Sequence, residues 1–166
     1  FLTAYFAIQP NCEVILTGSS RMKERPIHIL VEALNSLGAQ ISYEGKVGFP
    51  PIKIKGTELL KSEVDIEANT SSQYISALLL IAPKLKNGLK INLIGKVTSL
   101  PYINMTLALL NEIGVETTFV NNSITIKRKF QILNSKSPIP NSNGSTPSEG
   151  LGKESTTYNL QSTTLT

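Results

Sequence analysis

Cysteine and long apolar runs are scarce in this sequence of 166 residues, and each scarcity excludes a class of protein. The single cysteine, Cys12, cannot form a disulfide within the chain, which favours a cytoplasmic location. No run of about 18 apolar residues is present, so the sequence predicts no membrane-spanning helix. No charged segment followed by an apolar stretch opens the chain, so a secretory signal is not expected.

Recognisable cofactor and metal motifs are also missing. The sequence has no P-loop, no G-x-G-x-x-G turn and no zinc-ligand spacing. Neither a histidine nor a second cysteine lies near Cys12, so we predict no metal site and no thiol nucleophile there. His28 is predicted on the exposed side of a helix, without a role in proton transfer.

The charge balance is mildly basic, with a formal net charge of +4. The excess lies in residues 1–129, because the charges of residues 130–166 cancel. A basic excess suits an anionic ligand such as a phosphate, a carboxylate or a nucleic acid. The run 127–129 is basic, but it is short and no aromatic stacking platform accompanies it, so no nucleic-acid partner is predicted.

The spacing of apolar residues predicts alternating strands and helices up to residue 129. Strands are predicted at 14–18, 41–43, 52–56, 64–68, 91–95, 115–120 and 123–128, and helices at 1–9, 26–37, 72–82 and 101–113. Pro26 is expected at the first position of its helix, and Gly38 directly after the end of that helix. Asn121-Asn122 is a hairpin signal between the last two strands.

These elements form two similar copies. Glycine or proline residues that mark element boundaries recur in three pairs, at separations of 77, 75 and 76 residues: Gly18 with Gly95, Pro26 with Pro101, and Gly38 with Gly114. FLTAYF at the start likewise pairs with YISALL at 74–79. We therefore predict an α/β fold of tandem βαβαββ units, at 1–57 and 63–129. The first unit is expected to be truncated at its N-terminus, so the chain is expected to be a fragment.

Residues 130–166 differ from both copies. Ser, Thr, Asn, Gly and Pro dominate this segment, and no apolar periodicity is present. Such a composition cannot offset the entropy lost on ordering. The segment is predicted to be a disordered or non-family tail.

A basic turn precedes the helix predicted at 26–37. Arg21, Lys23 and Arg25 alternate, so in an extended segment they would point to one side. The interaction of cations with the positive end of a helix dipole is unfavourable, and an anion bound between them would make the electrostatic energy favourable. The alternative is a solvated basic loop without a ligand.

Hydroxyl-bearing residues precede the two helices of the second copy. Ser71, Ser72 and Gln73 stand at the start of the first of them, and Ser99 and Tyr102 at the start of the second. Helix N-termini with free N–H groups and hydroxyls bind phosphate. The alternative is that the serines are ordinary helix caps and that Tyr102 is a partly buried aromatic residue.

The residues together resemble one family. The stretch LTGSSRMKERPIHILVEALNSLGAQISYEGKVGFPPIKIKG, the segment SSQYISALLLIAP and the Ser-x-Pro-Tyr-Ile turn at 99–103 are similar to the EPSP synthase family, in the same order and spacing. The resemblance covers about residues 1–129. It implies the enolpyruvyl-transferase fold, an inside-out α/β barrel of six βαβαββ units in two domains.

The resemblance also implies a reaction and its binding residues. Family members transfer the enolpyruvyl group of phosphoenolpyruvate to shikimate 3-phosphate, for aromatic amino-acid biosynthesis, without a cofactor and as monomers. By resemblance, Arg21 contacts phosphoenolpyruvate, Gln73 lies between the two substrates, and four residues bind shikimate 3-phosphate: Ser71, Ser72, Ser99 and Tyr102. The family's acidic proton-transfer residue has no match here, so no catalytic residue is assigned and the chain alone is expected to be inactive.

Two departures and two alternatives accompany the resemblance. The family's Gly-Thr-Ala-Met-Arg segment is absent before Phe1, and Leu100 replaces a common basic residue. One alternative is a fragment of UDP-N-acetylglucosamine enolpyruvyl transferase, which usually carries a reactive cysteine where this chain has residues 21–23. The other is a non-catalytic remnant that binds a phosphorylated ligand weakly or not at all.

Overall fold

The protein is represented by a computed structural model, which describes residues 1–69 and 71–127. Five helices and seven strands lie in that part of the chain. The helices are α1 (Leu2–Ala7), α2 (Ser20–Lys23), α3 (His28–Ser36), α4 (Ser72–Ile81) and α5 (Leu100–Glu112). The strands are β1 (Glu13–Leu16), β2 (Gln40–Tyr43), β3 (Ile52–Lys55), β4 (Glu63–Glu67), β5 (Leu89–Ile94), β6 (Thr117–Val120) and β7 (Ser123–Ile126). A 3₁₀ turn, Ala82–Lys84, follows α4.

The second unit has the predicted order of strand, helix, strand, helix, strand, strand. Its four strands lie in the order β4-β5-β7-β6. β4 and β5 are parallel, whereas β7 is antiparallel to both β5 and β6. Asn121 and Asn122 both have positive φ, at 49° and 59°, so the hairpin signal between β6 and β7 is confirmed.

The first unit is the same sheet with one strand fewer. Its strands lie in the order β1-β3-β2, and both pairings are antiparallel. β1, β3 and β2 occupy the places of β5, β7 and β6. No strand among the described residues stands beside β1 as β4 stands beside β5. The predicted α/β fold of tandem units is therefore confirmed.

Helices cover one face of each sheet and form a continuous core with it. Along β3 and β4, buried isoleucine and valine residues alternate with exposed or half-buried charged residues, as the period of a half-buried strand requires. The largest fully buried side chains are all Leu or Ile: Leu30, Leu34, Leu37, Ile52, Ile54, Ile75, Leu78, Leu79, Leu89, Ile91, Ile103 and Ile124. This core fixes the ends of the helices, where the candidate site lies.

The glycine stops of the repeat are confirmed for α3 and α5. Gly38 and Gly114 have φ of 108° and 79°, which L side chains adopt only at a cost. Each N–H donates to a carbonyl of the last helical turn, Asn35 and Asn111 respectively. The helices α3 and α5, which correspond in the two copies, therefore end in the same way.

The start of α3 differs from the prediction. The helix begins at His28, so Pro26 is not its first residue. The reason is a contact outside the helix, because the Ile27 N–H donates to the carbonyl of Gly48 at 2.8 Å. Pro26 is thereby left in the connection before the helix.

The prediction for residues 130–166 falls outside the described part of the chain. In the described part, no helix is long and apolar enough to cross a membrane.

Candidate anion-binding site

The starts of α4 and α5 lie at one edge of the second sheet. Each helix follows the carboxyl end of its strand, and β4 and β5 are parallel, so the two helix N-termini are brought to the same edge. A buried hydrogen bond of 2.9 Å between the Ser76 and Thr106 hydroxyls joins the helices just inside that edge. The serines predicted from the sequence are therefore on neighbouring elements with a fixed relation.

At the start of α4, one serine caps the helix and still has a hydroxyl proton that it can donate. Ser71 is the N-cap of α4, and its Oγ accepts the Gln73 N–H at 3.4 Å. Ser71 is therefore a helix cap, as the alternative interpretation predicted, but its hydroxyl proton is still available to a ligand. Ser72 is the first helical residue and is half-buried. The positive end of the helix dipole and the first N–H groups face the same space.

The second helix start lacks such a side-chain cap. Ser99 is the N-cap of α5, but its hydroxyl makes no capping hydrogen bond, and its carbonyl accepts the N–H groups of Tyr102 and Ile103. Tyr102 is 61% exposed, so the alternative of a partly buried aromatic residue does not describe it well. Leu100, at the departure from the family pattern, is exposed as well.

The basic segment is helical, and the predicted extended geometry is wrong. Ser20–Lys23 forms the short helix α2, and the Arg25 N–H donates to the Met22 carbonyl at 3.2 Å, which continues the turn. In an extended chain, Arg21, Lys23 and Arg25 would share one side. With helical spacing, residues four apart share a side and the residue between them turns away.

A cleft of about 660 Å³ lies against this segment and the start of α4. Its lining includes Arg21, Arg25 and Gln73, but not Lys23, as the helical spacing requires. Leu2, Leu16, Met22, Ile27, Leu30 and Pro50 supply its apolar wall. Among the residues described, no aspartate or glutamate lines it. The cleft is thus suited to a small anion with an apolar body.

The structure brings some predicted site residues together and separates others. Arg21 and Gln73 both line the cleft, although they are distant in sequence. The serines and Tyr102 do not line the cleft; Ser71 and Ser72 precede Gln73 at the start of α4, and Ser99 and Tyr102 stand at the start of α5. Two kinds of positively polarised group therefore lie near one another, the Arg21 guanidinium in the cleft and the N-terminus of α4 at its edge.

Tyr74 also belongs to this site, although the sequence did not single it out. Its hydroxyl donates to the Pro26 carbonyl at 2.5 Å and so ties the start of α4 to the basic segment. Burial raises the pKa of Tyr74, and the nearby Arg25 guanidinium opposes that rise. No local sequence pattern marks a contact across 48 residues, so only the folded chain shows it.

Elsewhere, two smaller cavities lie away from these residues. One, of about 350 Å³, has Lys84 and Lys86 in its lining, and another, of about 330 Å³, lies between α3 and β4 with three carboxylates in its lining. Across residues 1–69 and 71–127, no group of three or more His, Cys, Asp or Glu side chains is placed to hold a metal ion.

Comparison with known proteins gives one family. Residues 1–140 match the family model for EPSP synthase (3-phosphoshikimate 1-carboxyvinyltransferase). A 3-phosphoshikimate 1-carboxyvinyltransferase of Bacteroides fragilis is 51% identical over 122 residues, which are 74% of this chain and 30% of that protein. One from Haemophilus ducreyi is 45% identical over 105 residues, or 63% of this chain and 24% of that protein.

The fold comparison agrees with the sequence comparison. The structure of EPSP synthase from Acinetobacter baumannii superimposes with a TM-score of 0.64 at 21% identity, over 78% of this chain and 28% of that one. At this identity, the likeness concerns the fold. The chain spans less than a third of the length of the curated relatives described above.

Proposed function

The chain belongs to the EPSP synthase family, and on that premise we propose that its protein transfers the enolpyruvyl group of phosphoenolpyruvate to shikimate 3-phosphate. The proposal takes the reaction from the family and assigns this chain a part of the binding surface for the two substrates. No catalytic proton-transfer group is assigned to it. The observation that carries the proposal is that Arg21 and Gln73 line one cleft, which reaches the serine-bearing start of α4.

In this proposal, shikimate 3-phosphate occupies the helix starts. Ser71, Ser72 and Ser99 donate hydroxyl hydrogen bonds to its phosphate, and the dipoles of α4 and α5 favour the negative charge. Tyr102, exposed on the first turn of α5, packs near the ring that carries the phosphate. The lack of a side-chain cap at Ser99 supports this assignment, because the hydroxyl is free to serve a ligand.

Phosphoenolpyruvate, in the same proposal, occupies the cleft. Arg21 supplies a planar fork of donors that matches a carboxylate or phosphate, and the cleft offers no competing carboxylate among the described residues. Gln73 stands at the boundary between cleft and helix start, where its amide can reach either ligand. Holding the two reactants side by side is the contribution to catalysis that this part of the protein makes.

The sister enolpyruvyl transferase is the less suitable assignment. The loop between Gly18 and Pro26 contains no cysteine, and the relatives described above carry the name 3-phosphoshikimate 1-carboxyvinyltransferase.

Calorimetry with shikimate 3-phosphate tests the phosphate position. Ser72→Ala is the cleaner change, because Ser71→Ala also removes the cap of α4. A hydrogen bond to a charged group is worth about 1.5 kcal/mol or more, so Ser72→Ala is expected to weaken binding by about tenfold. Ser42→Ala, on the exposed face of β2, is the matched control and should leave affinity unchanged. Equal affinities for wild type and Ser72→Ala would contradict the assignment.

Phosphate release tests the claim about turnover. With both substrates present, the 166-residue chain is expected to release no phosphate above background, because it contributes no proton-transfer residue to the proposed site. Sustained release by the chain alone would show that the catalytic groups had been assigned wrongly.

A further inference from the structure

The segment that carries Arg21 has little packing of its own to hold it in place. The helix α2 is four residues long and contains no buried residue. The side chains at positions 21–26 are all exposed. This segment therefore lacks the buried apolar surface and the run of regular hydrogen bonds that stabilise a longer helix. Its position relative to the rest of the 660 Å³ cleft depends on individual contacts.

Two hydrogen bonds hold the end of this segment, at neighbouring residues. The Ile27 N–H donates to the Gly48 carbonyl at 2.8 Å, within the first copy of the repeat. The Tyr74 hydroxyl donates to the Pro26 carbonyl from the start of α4, in the second copy. The first bond fixes the segment to the unit from which it comes. The second fixes it to the helix that carries Gln73, another residue of the cleft lining.

The Tyr74 hydroxyl is committed to the backbone of this segment. Tyr74 lines the cleft, but its one hydroxyl proton is donated to Pro26. Burial raises the pKa of Tyr74, although the Arg25 guanidinium opposes that rise, so the phenol keeps its proton at neutral pH. A phenylalanine at this position would keep the ring and lose only the hydrogen bond.

We propose that Tyr74 is a positioning residue for the anion that binds Arg21, because it holds the arginine segment against the start of α4. In the proposed function, on which this inference rests, that anion is phosphoenolpyruvate and Gln73 also contacts it. The groups that would bind this anion come from two different units of the repeat. A ligand loses less entropy in ordering such a site when a hydrogen bond already joins the two units.

The serines at the two helix starts depend on a different contact. The hydroxyls of Ser76 and Thr106 join α4 to α5 through a buried hydrogen bond of 2.9 Å. Loss of the Tyr74 hydroxyl removes no part of that contact. The bond from Tyr74 should therefore matter for a ligand at Arg21 and not for a ligand at the serines.

The test compares two ligands of the whole 166-residue chain, phosphoenolpyruvate and shikimate 3-phosphate, each followed by amide chemical shifts up to millimolar concentration. Tyr74→Phe is expected to raise Kd for phosphoenolpyruvate by about fivefold, since the loss cannot exceed what a neutral hydrogen bond contributes. Its Kd for shikimate 3-phosphate should change by less than about twofold, as for independent contacts. Tyr43→Phe removes the hydroxyl of another half-buried tyrosine, outside the cleft lining, and should change neither Kd.

A double-mutant cycle with Arg21 shows whether Tyr74 acts through the arginine. In the Arg21→Gln background, Tyr74→Phe should weaken phosphoenolpyruvate binding by a smaller factor than in wild type, because the guanidinium that it positions is gone. Fully additive losses would overturn the positioning role. Wild-type affinity in Tyr74→Phe, or an equal loss for both ligands, would overturn it as well.

The outcomes separate this role from the proposed function. If Arg21→Gln weakens phosphoenolpyruvate binding and Tyr74→Phe does not, the ligand assignment stands and the role of Tyr74 is wrong. If wild type binds inorganic phosphate at Arg21 but not phosphoenolpyruvate, the ligand assignment is wrong, and the Kd for phosphate in Tyr74→Phe decides the positioning role. If neither anion shifts the amides of Arg21 and Gln73, both proposals are overturned.

Discussion

The lack of a Cβ atom at Gly56 allows the end of β3 to approach the end of α1 closely. It follows β3 and lies against the carboxyl end of α1, where its N–H donates to the Cys12 carbonyl at 2.8 Å. A Cβ on Gly56 would stand 1.9 Å from the Gln9 carbonyl oxygen and 2.7 Å from that of Phe6. Both obstacles are backbone atoms, so they cannot move aside as a flexible side chain would.

Gly56→Ala is therefore expected to destabilise the protein by about 2–3 kcal/mol, the cost of overpacking a closed site. Urea denaturation measures this change as a lower midpoint at an unchanged slope. Gly45→Ala is the matched control, because its added Cβ would meet Pro51 at an ordinary 3.9 Å. A destabilisation of Gly56→Ala no larger than that of Gly45→Ala would contradict the close approach.

The pair of helices α4 and α5 depends on one polar contact in an apolar interface. Ser76 and Thr106 are 7% and 6% exposed, and their hydroxyl oxygens are 2.9 Å apart. Thr106 also donates to the Tyr102 carbonyl, which leaves Ser76 as the donor to Thr106. The contact sets the register between the two helix starts of the candidate site.

Removing one partner should cost more than removing both. Thr106→Val keeps the shape but leaves the Ser76 hydroxyl buried without its acceptor, at a cost of about 1–3 kcal/mol. The double change Ser76→Ala with Thr106→Val should destabilise by less than the sum of the single changes. A cycle of the four proteins in urea measures this coupling. Additive free energies would show that the two hydroxyls do not support each other.

The pairing of β4 with β5 contains a pH-dependent contact. Lys90 and Asn92 donate to the Glu63 carboxylate at 2.7 and 2.9 Å, and these hydrogen bonds, with the charge of Lys90, lower the pKa of Glu63. A carboxyl group with a lowered folded-state pKa stabilises the fold above its unfolded pKa, and this contribution is lost as the pH falls through the folded value.

Glu63→Gln should accordingly be less stable than wild type at pH 7. The difference should close as the pH falls below the ordinary value of 4.5, where the wild-type carboxylate takes up its proton. Urea midpoints across this range are the measurement. Glu67→Gln, on the same strand but outside the ion pairs of the described residues, is the control. A pH-independent difference for Glu63→Gln would contradict this account.

The spacing of apolar residues and the positions of glycine and proline predict helices and strands well where the signal lies within the element itself. The alternation in 52–56 and the glycine stops at Gly38 and Gly114 identify β3 and the ends of α3 and α5 directly. The basic segment was predicted as extended because a proline disfavours helix at the residue before it, and α2 ends just ahead of that constraint. A spacing of four residues was the available signal for Arg21 and Arg25 as a pair.

Contacts between distant residues could not be predicted in this way. The Tyr74–Pro26 hydrogen bond joins α4 of the second unit to the connection before α3, and the Ile27–Gly48 hydrogen bond joins two connections within the first unit. Both contacts depend on tertiary packing. The serine and glutamine residues of the site were named by resemblance to a family, since composition and spacing alone left an ordinary cap as the alternative. The structure adds their arrangement relative to the cleft.

Across both units, the candidate site is shared between the two copies of the repeat. The first copy contributes the arginines after β1, and the second contributes the serines and Gln73 at the start of α4. Duplication of one unit thus places two kinds of anion-binding group, guanidinium and helix N-terminus, at adjacent positions. We therefore expect the phosphorylated substrate to bind at the helix starts.

Amide chemical-shift mapping of the 166-residue chain with shikimate 3-phosphate is the decisive measurement of this binding position. We expect saturable shifts at Ser71, Ser72, Gln73 and Ser99, and none of comparable size with shikimate, which lacks the phosphate. Saturable shifts confined to another surface, such as Lys84 and Lys86 beside the 350 Å³ cavity, would contradict it, as would equal shifts with shikimate.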